Sequence, residues 1–241
     1  MPRRVARGLL PPLHCADSEP MEISMNPAGP DITRAALIIV DMQNDFLHAD
    51  GGFGRRARAN PEKKIDMPFL ASTIPNARKL AEAFRGAGRP VIYIAHVLKA
   101  DYSDAAFPYW RTGTHAAKHD FLVEGSWGAR IVDDLAPQKD EHVVIKKGFG
   151  GFHHTELDTI LRNVGVTTCV MSGVTTCICV STTIRGGTEL NYRMLIAKDA
   201  IAEAQREAHD AELKIFQRCY GDVLSSDEII AMLRGAVKAA A

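Results

Sequence analysis

Three groups of side chains that could do chemistry follow apolar runs typical of buried strands. Asp41 comes after one run, Lys146 after another, and Cys177 and Cys179 after a third. In an open parallel sheet, such positions meet at the carboxyl ends of the strands, where ligands bind. A thiol beside an ammonium at a helix N-terminus has a lowered pKa, and a carboxylate can take its proton and return it to a leaving amine. The pattern therefore indicates a cysteine-dependent hydrolase.

Each of these residues also has an ordinary structural explanation. Asp41 could cap the following turn, Lys146 could be a solvated strand end, and a cysteine in an apolar helix is more often buried than reactive. Their common position at one edge of the inferred sheet favours the chemical interpretation. On a helix, Cys177 and Cys179 lie about 200° apart and cannot face one pocket equally well. The spacing alone leaves open which of them reacts.

The elements that must position these residues alternate between strand and helix. Apolar runs predict strands over residues 36–42, 90–97, 141–147, 167–174 and 192–201. Helical patterns predict helices that begin near Thr73, Thr155 and Thr176, and further helices at about 203–218 and from Ser226. This order predicts a three-layer α/β/α sandwich with a mostly parallel, doubly wound sheet of about six strands.

Some segments fall outside this pattern. Residues 1–33 begin basic but contain too short an apolar run for a secretory signal. We expect them to form a flexible N-terminal arm, with a targeting role as the alternative, ahead of one domain over residues 34–241. The glycine-rich basic stretch 47–64 is expected to be a loop, either solvated or acting as a substrate lid or subunit contact. The aromatic-rich connection 98–130 is long enough to be functional.

Composition excludes several classes of partner. Lysine plus arginine equals aspartate plus glutamate at 29 each, so no overall field attracts nucleic acid or an anionic membrane. A small neutral or zwitterionic molecule fits better. No window approaches the roughly 20 apolar residues of a membrane span. The five cysteines have neither the spacing of a disulfide framework nor that of a paired zinc clip, which predicts a reducing compartment, the cytoplasm.

Three motifs resemble the signatures of the isochorismatase-like cysteine hydrolases, in the same order and at similar spacing. They are VDMQNDF at 40–46, KKGFGGF at 146–152 and GVTTCICVSTTIRGG at 173–187. The resemblance extends from about residue 34 to the C-terminus. It is greatest to the branch of ureidoacrylate amidohydrolases, biuret hydrolases and N-carbamoylsarcosine amidases, through GSWGARIVDDLAP at 125–137, the GF-x-x-T-x-LD-x-IL run after Lys146, and CVSTTIR.

The resemblance implies a role for each member of the site. Cys179 falls on the family's nucleophile, and Cys177 stands where the family usually has Asn or Asp. Asp41 is the implied general acid and base. Lys146, rather than Lys147, is the implied lysine, and the alternation of side chains along a strand supports that choice.

The family also has a non-proline cis peptide after its fourth strand. The resemblance implies that this cis peptide lies between Val174 and Thr175 in this sequence. The resemblance implies that this bond turns backbone N–H groups inward and shapes an oxyanion hole from the N–H groups of Thr175 and Cys179.

The implied activity is hydrolysis of a C–N bond without cofactor or metal. The substrate would be a small carbamoyl or ureido compound, similar to biuret, triuret or ureidoacrylate, cleaved through a thioester. Nicotinamidase relatives hold a metal through an Asp-x-His pair and further histidines, whereas this sequence offers only His96 with Asp101 there. His96 is therefore expected to line the pocket or pack beneath it.

Other functions remain as alternatives. One is a nicotinamidase-like or other small-amide hydrolase, and another is a catalytically inactive binding homologue. An isochorismatase proper would not need the cysteine. A flavodoxin-like nucleotide binder would need a cationic or glycine-rich phosphate loop where the acidic DMQNDF stands.

Substrate contacts are expected from the long connection and from the surroundings of the cysteines. The candidates are Asn44, Tyr109, Trp110, Arg111, His115, Phe149, Phe152, Arg185 and Gln217. We also expect a homo-oligomer, a tetramer by resemblance, because the aromatic stretch 107–110 and the glycine-rich loop would expose apolar surface on a monomer. A neighbouring chain would then help to close each pocket.

Overall fold

A single parallel sheet forms the centre of the molecule. The computed structural model describes residues 30–106 and 120–240, and within them six strands pair in the order β3-β2-β1-β4-β5-β6. Every neighbouring pair is parallel. The strands are β1 (Ala35–Val40), β2 (Val91–His96), β3 (His142–Lys146), β4 (Thr168–Val174), β5 (Arg193–Ala202) and β6 (Gly221–Leu224). The predicted doubly wound α/β/α sandwich is confirmed, and the strand order reverses between β1 and β4.

Helices cover both faces of this sheet. They are α1 (Asn44–Leu47), α2 (Gly52–Ala59), α3 (Met67–Ala71), α4 (Thr73–Gly86), α5 (Leu157–Asn163), α6 (Ser181–Glu189), α7 (Arg206–Cys219) and α8 (Ser226–Ala240). Along β1, Leu37 and Ile39 face one core while Ile38 faces the other, as strand alternation requires. Apolar side chains of α4 and α8 pack in the first core, and those of α5, α6 and α7 pack in the second. Burial on both faces explains why β1 is apolar throughout.

Two segments depart from the sequence expectations. The stretch 47–64 contains α2, so the expectation of a loop is wrong for its middle part. Asp45 accepts a hydrogen bond from the Gly52 N–H at 2.8 Å and so satisfies a free donor at the start of that helix, a contact that local propensity does not reveal. Near the N-terminus, Ile32 is buried in the first core, so packing begins before residue 34. Most of the predicted arm lies outside the described residues.

Within the part of the chain that the structure describes, no helix combines the length and hydropathy needed to cross a membrane.

Strands β1 and β4 approach each other so closely at residue 173 that only glycine fits there. Gly173 has a φ of 119°, and a Cβ there would lie 2.0 Å from the Val40 carbonyl oxygen of the paired strand. We predict that Gly173→Ala lowers the free energy of unfolding by about 3 kcal/mol or more, because strain and overlap add. Urea unfolding measures this change.

Gly235 in α8 provides the matched control. A Cβ there meets nothing within 4 Å. Gly235→Ala should be neutral or stabilise the protein by up to about 1 kcal/mol. Equal unfolding midpoints for the two alanine variants would contradict the steric argument.

Candidate active site

A lysine ammonium joins a carboxylate and a thiol in the protein interior. Lys146 Nζ lies 2.8 Å from Asp41 Oδ2, and it donates to Cys179 Sγ at 3.3 Å and to the Gly148 carbonyl at 3.0 Å. The ammonium therefore has two hydrogen-bond acceptors and one ion-pair partner. Asp41 and Lys146 are wholly inaccessible, and Cys179 is only 4% exposed. Asp41, Lys146 and Cys179 are called the buried cluster below.

The strand order brings the buried cluster together. Lys146 ends β3 and is paired with His96, which ends β2. Its side chain passes the end of β2 to reach Asp41, which follows β1 with a φ of 52°. Cys179 lies in the π-helical turn Thr176–Val180 that joins β4 to α6. Side chains from three different strand ends thus converge at the switch point of the sheet, the usual ligand position in this architecture.

The two thiols of this turn have different surroundings. Cys177 Sγ donates to the Ala208 carbonyl in α7 at 3.4 Å, and the Cys177 N–H donates to Glu203 Oε2 at 2.9 Å. Burial and the charge of Glu203 raise the pKa of Cys177 to about 12. Cys179 Sγ instead accepts from Lys146. Of the two thiols, Cys179 is the one in contact with the ammonium.

The side chains of the adjacent residues Lys146 and Lys147 also lie in different surroundings. Lys147 Nζ lies 2.7 Å from Asp104 Oδ2 and donates to the Val97 carbonyl at 2.7 Å. Its side chain is 41% exposed, whereas that of Lys146 is fully buried. Strand alternation therefore directs Lys146 inward and leaves Lys147 as a surface ion pair.

Burial governs the protonation of the buried cluster. It raises the pKa of the Cys179 thiol, and the charge of Asp41 adds to this effect while Lys146 opposes it. Burial likewise raises the pKa of Asp41 against the charge of Lys146. Burial alone would lower the pKa of Lys146, but the two acidic neighbours outweigh it and the pKa is raised. The expectation of a lowered thiol pKa is wrong for the resting site, because complete burial outweighs one nearby ammonium.

The resting cluster therefore holds a neutral thiol within 4.8 Å of an Asp41 carboxyl oxygen. Loss of the thiol proton to solvent would leave an extra negative charge in the interior, which is costly. Transfer of the proton from Cys179 to Asp41 leaves the net charge unchanged. The geometry favours this internal transfer, with Lys146 in contact with both partners.

The chain matches a known protein family over most of its length. The isochorismatase domain family matches residues 35–228, which is most of the chain. The chain belongs to the isochorismatase family.

Individual relatives in this family are similar over nearly the whole chain. A ureidoacrylate amidohydrolase from Pseudomonas syringae pv. syringae (strain B728a) is 31% identical over 220 residues, covering 84% of this chain and 86% of the relative. A cysteine hydrolase from Pseudomonas syringae pv. phaseolicola 1448A superposes with a TM-score of 0.75 at 27% identity, covering 86% and 95%. The N-carbamoylsarcosine amidase of Thermoplasma acidophilum superposes with a TM-score of 0.63 at 31% identity, covering 80% and 97%.

A cis peptide precedes the turn Thr176–Val180, at the position that the family resemblance implies. The peptide between Val174 and Thr175 is cis. The Thr175 carbonyl accepts from the N–H groups of Ile178 at 3.2 Å and Val180 at 3.1 Å. Because the Cys177 N–H donates to Glu203, that amide is not available to an oxyanion. The N–H groups of Thr175 and Cys179 stay the predicted oxyanion donors.

The predicted substrate contacts are distributed over several places. Asn44 Nδ2 donates to the Trp127 carbonyl at 2.9 Å, so it holds the long connection. Arg185 pairs with Glu212 at 2.7 Å, which ties α6 to α7. Phe149 and Phe152 are partly buried against the second core.

Gln217 is exposed and accepts from the Val223 N–H in β6, at the edge of the sheet. The structure does not bring Gln217 to the buried cluster, and Tyr109, Trp110, Arg111 and His115 lie outside the described residues.

Two buried polar side chains missed by the sequence reasoning hold the loops at the site. Gln43 Nε2 donates to the carbonyls of His96 at 3.0 Å and Ala129 at 2.7 Å, and Gln43 Oε1 accepts from the His96 N–H at 2.9 Å. Asp45 accepts from the N–H groups of Gly52 and Leu122. Both residues lie in DMQNDF, directly after a buried strand. Backbone groups buried there need hydrogen-bond partners, and this requirement could have identified the two polar side chains from the sequence.

A group with the spacing of metal ligands coincides with the buried cluster. Among the described residues, ligand atoms of Asp41, His96 and Cys179 all lie within 4.8 Å of one another. His96 is buried, and its pKa is well below the usual value because of burial and the Lys146 charge. The Lys146 ammonium contacts two of these three groups, so a divalent cation there would meet a buried positive charge. The three side chains are of types that ligate metals, but the positive charge of Lys146 opposes the binding of a cation.

Alkylation of Cys179 by iodoacetamide tests the charge balance of the cluster. In Asp41→Asn the charge that raises the thiol pKa is removed, and a thiolate paired with Lys146 no longer adds net charge to the interior. The thiol proton can then leave to solvent, so the pKa falls and alkylation at pH 7 should be at least as fast as in the wild type. In Lys146→Met the charge that lowers it is removed, so the pKa rises and alkylation should slow by about 10-fold or more. Mass spectrometry of the Cys179 peptide gives both rates.

Lys147→Met is the matched control, because it removes a neighbouring ammonium that does not contact the thiol. Its rate should equal that of the wild type. Slow alkylation in Asp41→Asn, with the fold intact by circular dichroism, would contradict the assignment of the charges.

Proposed function

We propose that this protein is a cysteine-dependent amidohydrolase. It cleaves a C–N bond of a small carbamoyl or ureido compound, similar to biuret, triuret or ureidoacrylate, and releases ammonia or an amine. The observation that carries the proposal is the contact of one buried ammonium, on Lys146, with both Asp41 and Cys179. Similarity to ureidoacrylate amidohydrolases and to an N-carbamoylsarcosine amidase supports the substrate class.

The reaction proceeds through two half-reactions. Asp41 takes the thiol proton, and Cys179 Sγ attacks the carbonyl carbon to give a tetrahedral oxyanion, which the N–H groups of Thr175 and Cys179 bind. Collapse breaks the C–N bond, and Asp41 returns the proton to the leaving nitrogen. Water, deprotonated by Asp41, then hydrolyses the thioester and releases the thiol.

Lys146 stabilises the charged forms throughout these steps. Its ammonium faces the carboxylate in the resting state and the thiolate after proton transfer, so the charge of the site changes little during the transfer. Because the groups are buried, this contact is stronger than in water. The contact also explains why the neighbouring Cys177, bound to α7, is not the proposed nucleophile.

Competing functions lack this support. A nicotinamidase-like enzyme or another small-amide hydrolase would use the same cluster with a different pocket, so the substrate panel below distinguishes it. A binding homologue without chemistry has no need for a buried ammonium between a thiol and a carboxylate, whose burial is costly without function. We further propose that the reaction needs no cofactor or metal.

The cellular compartment and the oligomeric state of the enzyme are further parts of the proposal. Within the described part of the chain, the cysteines at 169, 177, 179 and 219 form no disulfide with one another. We propose a reducing compartment, the cytoplasm. We also propose a homotetramer, on the resemblance to the carbamoylsarcosine amidase branch. The aromatic stretch 107–110 that suggested oligomerisation lies outside the described residues.

Ammonia release from a substrate panel tests the proposed function. The panel contains ureidoacrylate, biuret, triuret, N-carbamoyl amino acids and nicotinamide. We expect turnover of at least one ureido or carbamoyl compound, lost in Cys179→Ala, because no thioester can form without this sulfur. Cys177→Ala should remain folded and at least partly active. Activity that survives in the first variant and vanishes in the second would identify Cys177 as the nucleophile.

Chelation tests the proposed metal independence. Prolonged treatment with EDTA and phenanthroline, followed by desalting, should leave the rate of ammonia release unchanged, because Lys146 already supplies the positive charge beside Cys179. A loss of activity that zinc, manganese or iron restores would show that Asp41, His96 and Cys179 hold a metal.

A further inference from the structure

A buried hydroxyl lies between the nucleophile helix and the loop that follows Lys146. Thr183 is fully buried in α6, one helical turn after Cys179. Its Oγ1 donates to the Cys179 carbonyl at 2.7 Å and accepts from the Gly151 N–H at 3.0 Å. Both hydrogen-bonding roles of the hydroxyl toward the protein are therefore in use.

These bonds complete a ring around the reacting atoms. The loop from Lys146 to Gly151 is fixed at one end because the Lys146 ammonium donates to the Gly148 carbonyl as well as to Cys179 Sγ. At its other end the Gly151 N–H is held by Thr183, which in turn holds the Cys179 carbonyl. The contacts thus run from Cys179 Sγ through Lys146 and its loop to Gly151, and from there through Thr183 back to the carbonyl of Cys179.

Packing makes this ring tight. A Cβ on Gly151 would lie 2.3 Å from Ile94 Cδ1 and 3.1 Å from Thr183 Cγ2, so the loop backbone is pressed between β2 and α6. The side chain of Phe152 continues this contact, because it packs against Gly187 in the same helix. A shift of the loop would therefore move Lys146 and α6 relative to each other.

We propose that Thr183 is a positioning residue that sets the separation of Lys146 Nζ and Cys179 Sγ. Its effect on turnover rests on the proposed function, but its effect on the reactivity of the thiol does not. Without the hydroxyl, the buried Gly151 N–H loses its acceptor and the loop relaxes to satisfy it. Displacements of about 1 Å between reacting groups reduce rates by about 100-fold.

Thr188 provides the matched control within the same helix. Its hydroxyl donates to the Ile184 carbonyl at 2.9 Å, the same bond to the preceding turn that Thr183 makes. The structure gives Thr188 no bond to the loop after Lys146. A comparison of the two threonines therefore separates the loop contact from the general effect of threonine in a helix.

The experiment measures iodoacetamide alkylation of Cys179 at pH 7 in Thr183→Val, Thr183→Ser and Thr188→Val, by mass spectrometry. We expect alkylation to slow by about 10- to 100-fold in Thr183→Val and to stay within about 3-fold of the wild type in the other two. For any substrate found, kcat should fall in Thr183→Val with little change in KM, because the substrate itself is not contacted.

Two outcomes would overturn the proposal: a folded Thr183→Val variant that is alkylated at the wild-type rate, or equal slowing in Thr188→Val. If Thr183→Val does not fold, Thr183→Ala and Thr183→Ser give the same comparison, because both lack the methyl group and differ in the hydroxyl; equal rates in that pair would also overturn it. If the wild type hydrolyses no compound of the panel, the proposed function fails, whereas the alkylation comparison still decides the role of Thr183.

Discussion

The ion pair between Lys146 and Asp41 is the constraint on which the site depends. Both side chains are completely buried, and an ammonium in the interior is tolerated only with a close, hydrogen-bonded partner. The partner comes from β1, while the lysine comes from β3, so the end of β2 must lie between them and the strands must be parallel. The sheet order β3-β2-β1-β4 satisfies this requirement and places the cysteine turn after β4 directly beside Asp41. Removing one partner would leave an uncompensated buried charge, at a cost of about 3–5 kcal/mol.

The same burial explains how a thiol with a raised pKa can still react. An exposed cysteine becomes a nucleophile when its proton is lost to water, which requires a low pKa. In the buried cluster the proton has a nearer acceptor, the Asp41 carboxylate, whose own pKa is raised by burial. Transfer of the proton between these two groups adds no net charge to the interior, whereas its loss to solvent does. Reactivity then depends on the distances among three side chains more than on the pH of the medium, and this dependence gives weight to the contacts that fix those distances.

Much of the fold could be predicted from the sequence because it depends on local patterns, whereas the choice of Cys179 over Cys177 came from the family resemblance. The apolar runs predicted the strands, and the parallel arrangement predicted that Asp41, Lys146 and the cysteines would meet. The direction of the Cys179 pKa shift could not be predicted, since it depends on how deeply three-dimensional packing buries the thiol. Helix α2 was hidden by its glycines, because the Asp45 contact that supports it comes from outside the helix. Arg185 and Gln217 have suitable chemistry for a substrate, and their partners Glu212 and Val223 could be identified only in the folded chain.

The unusual cysteine at position 177 has a structural explanation at the end of β5. The family resemblance implies an Asn or Asp at this position, which could cap the turn Thr176–Val180 with its own side chain. Here Glu203, which directly follows β5 and is largely buried, accepts from the Cys177 N–H at 2.9 Å and from its own neighbour Ala204 at 2.8 Å. Because a carboxylate from the adjacent strand end satisfies this donor, the side chain at 177 is not needed as a cap. A thiol then suffices there, and its hydrogen bond to the Ala208 carbonyl joins the turn Thr176–Val180 to α7.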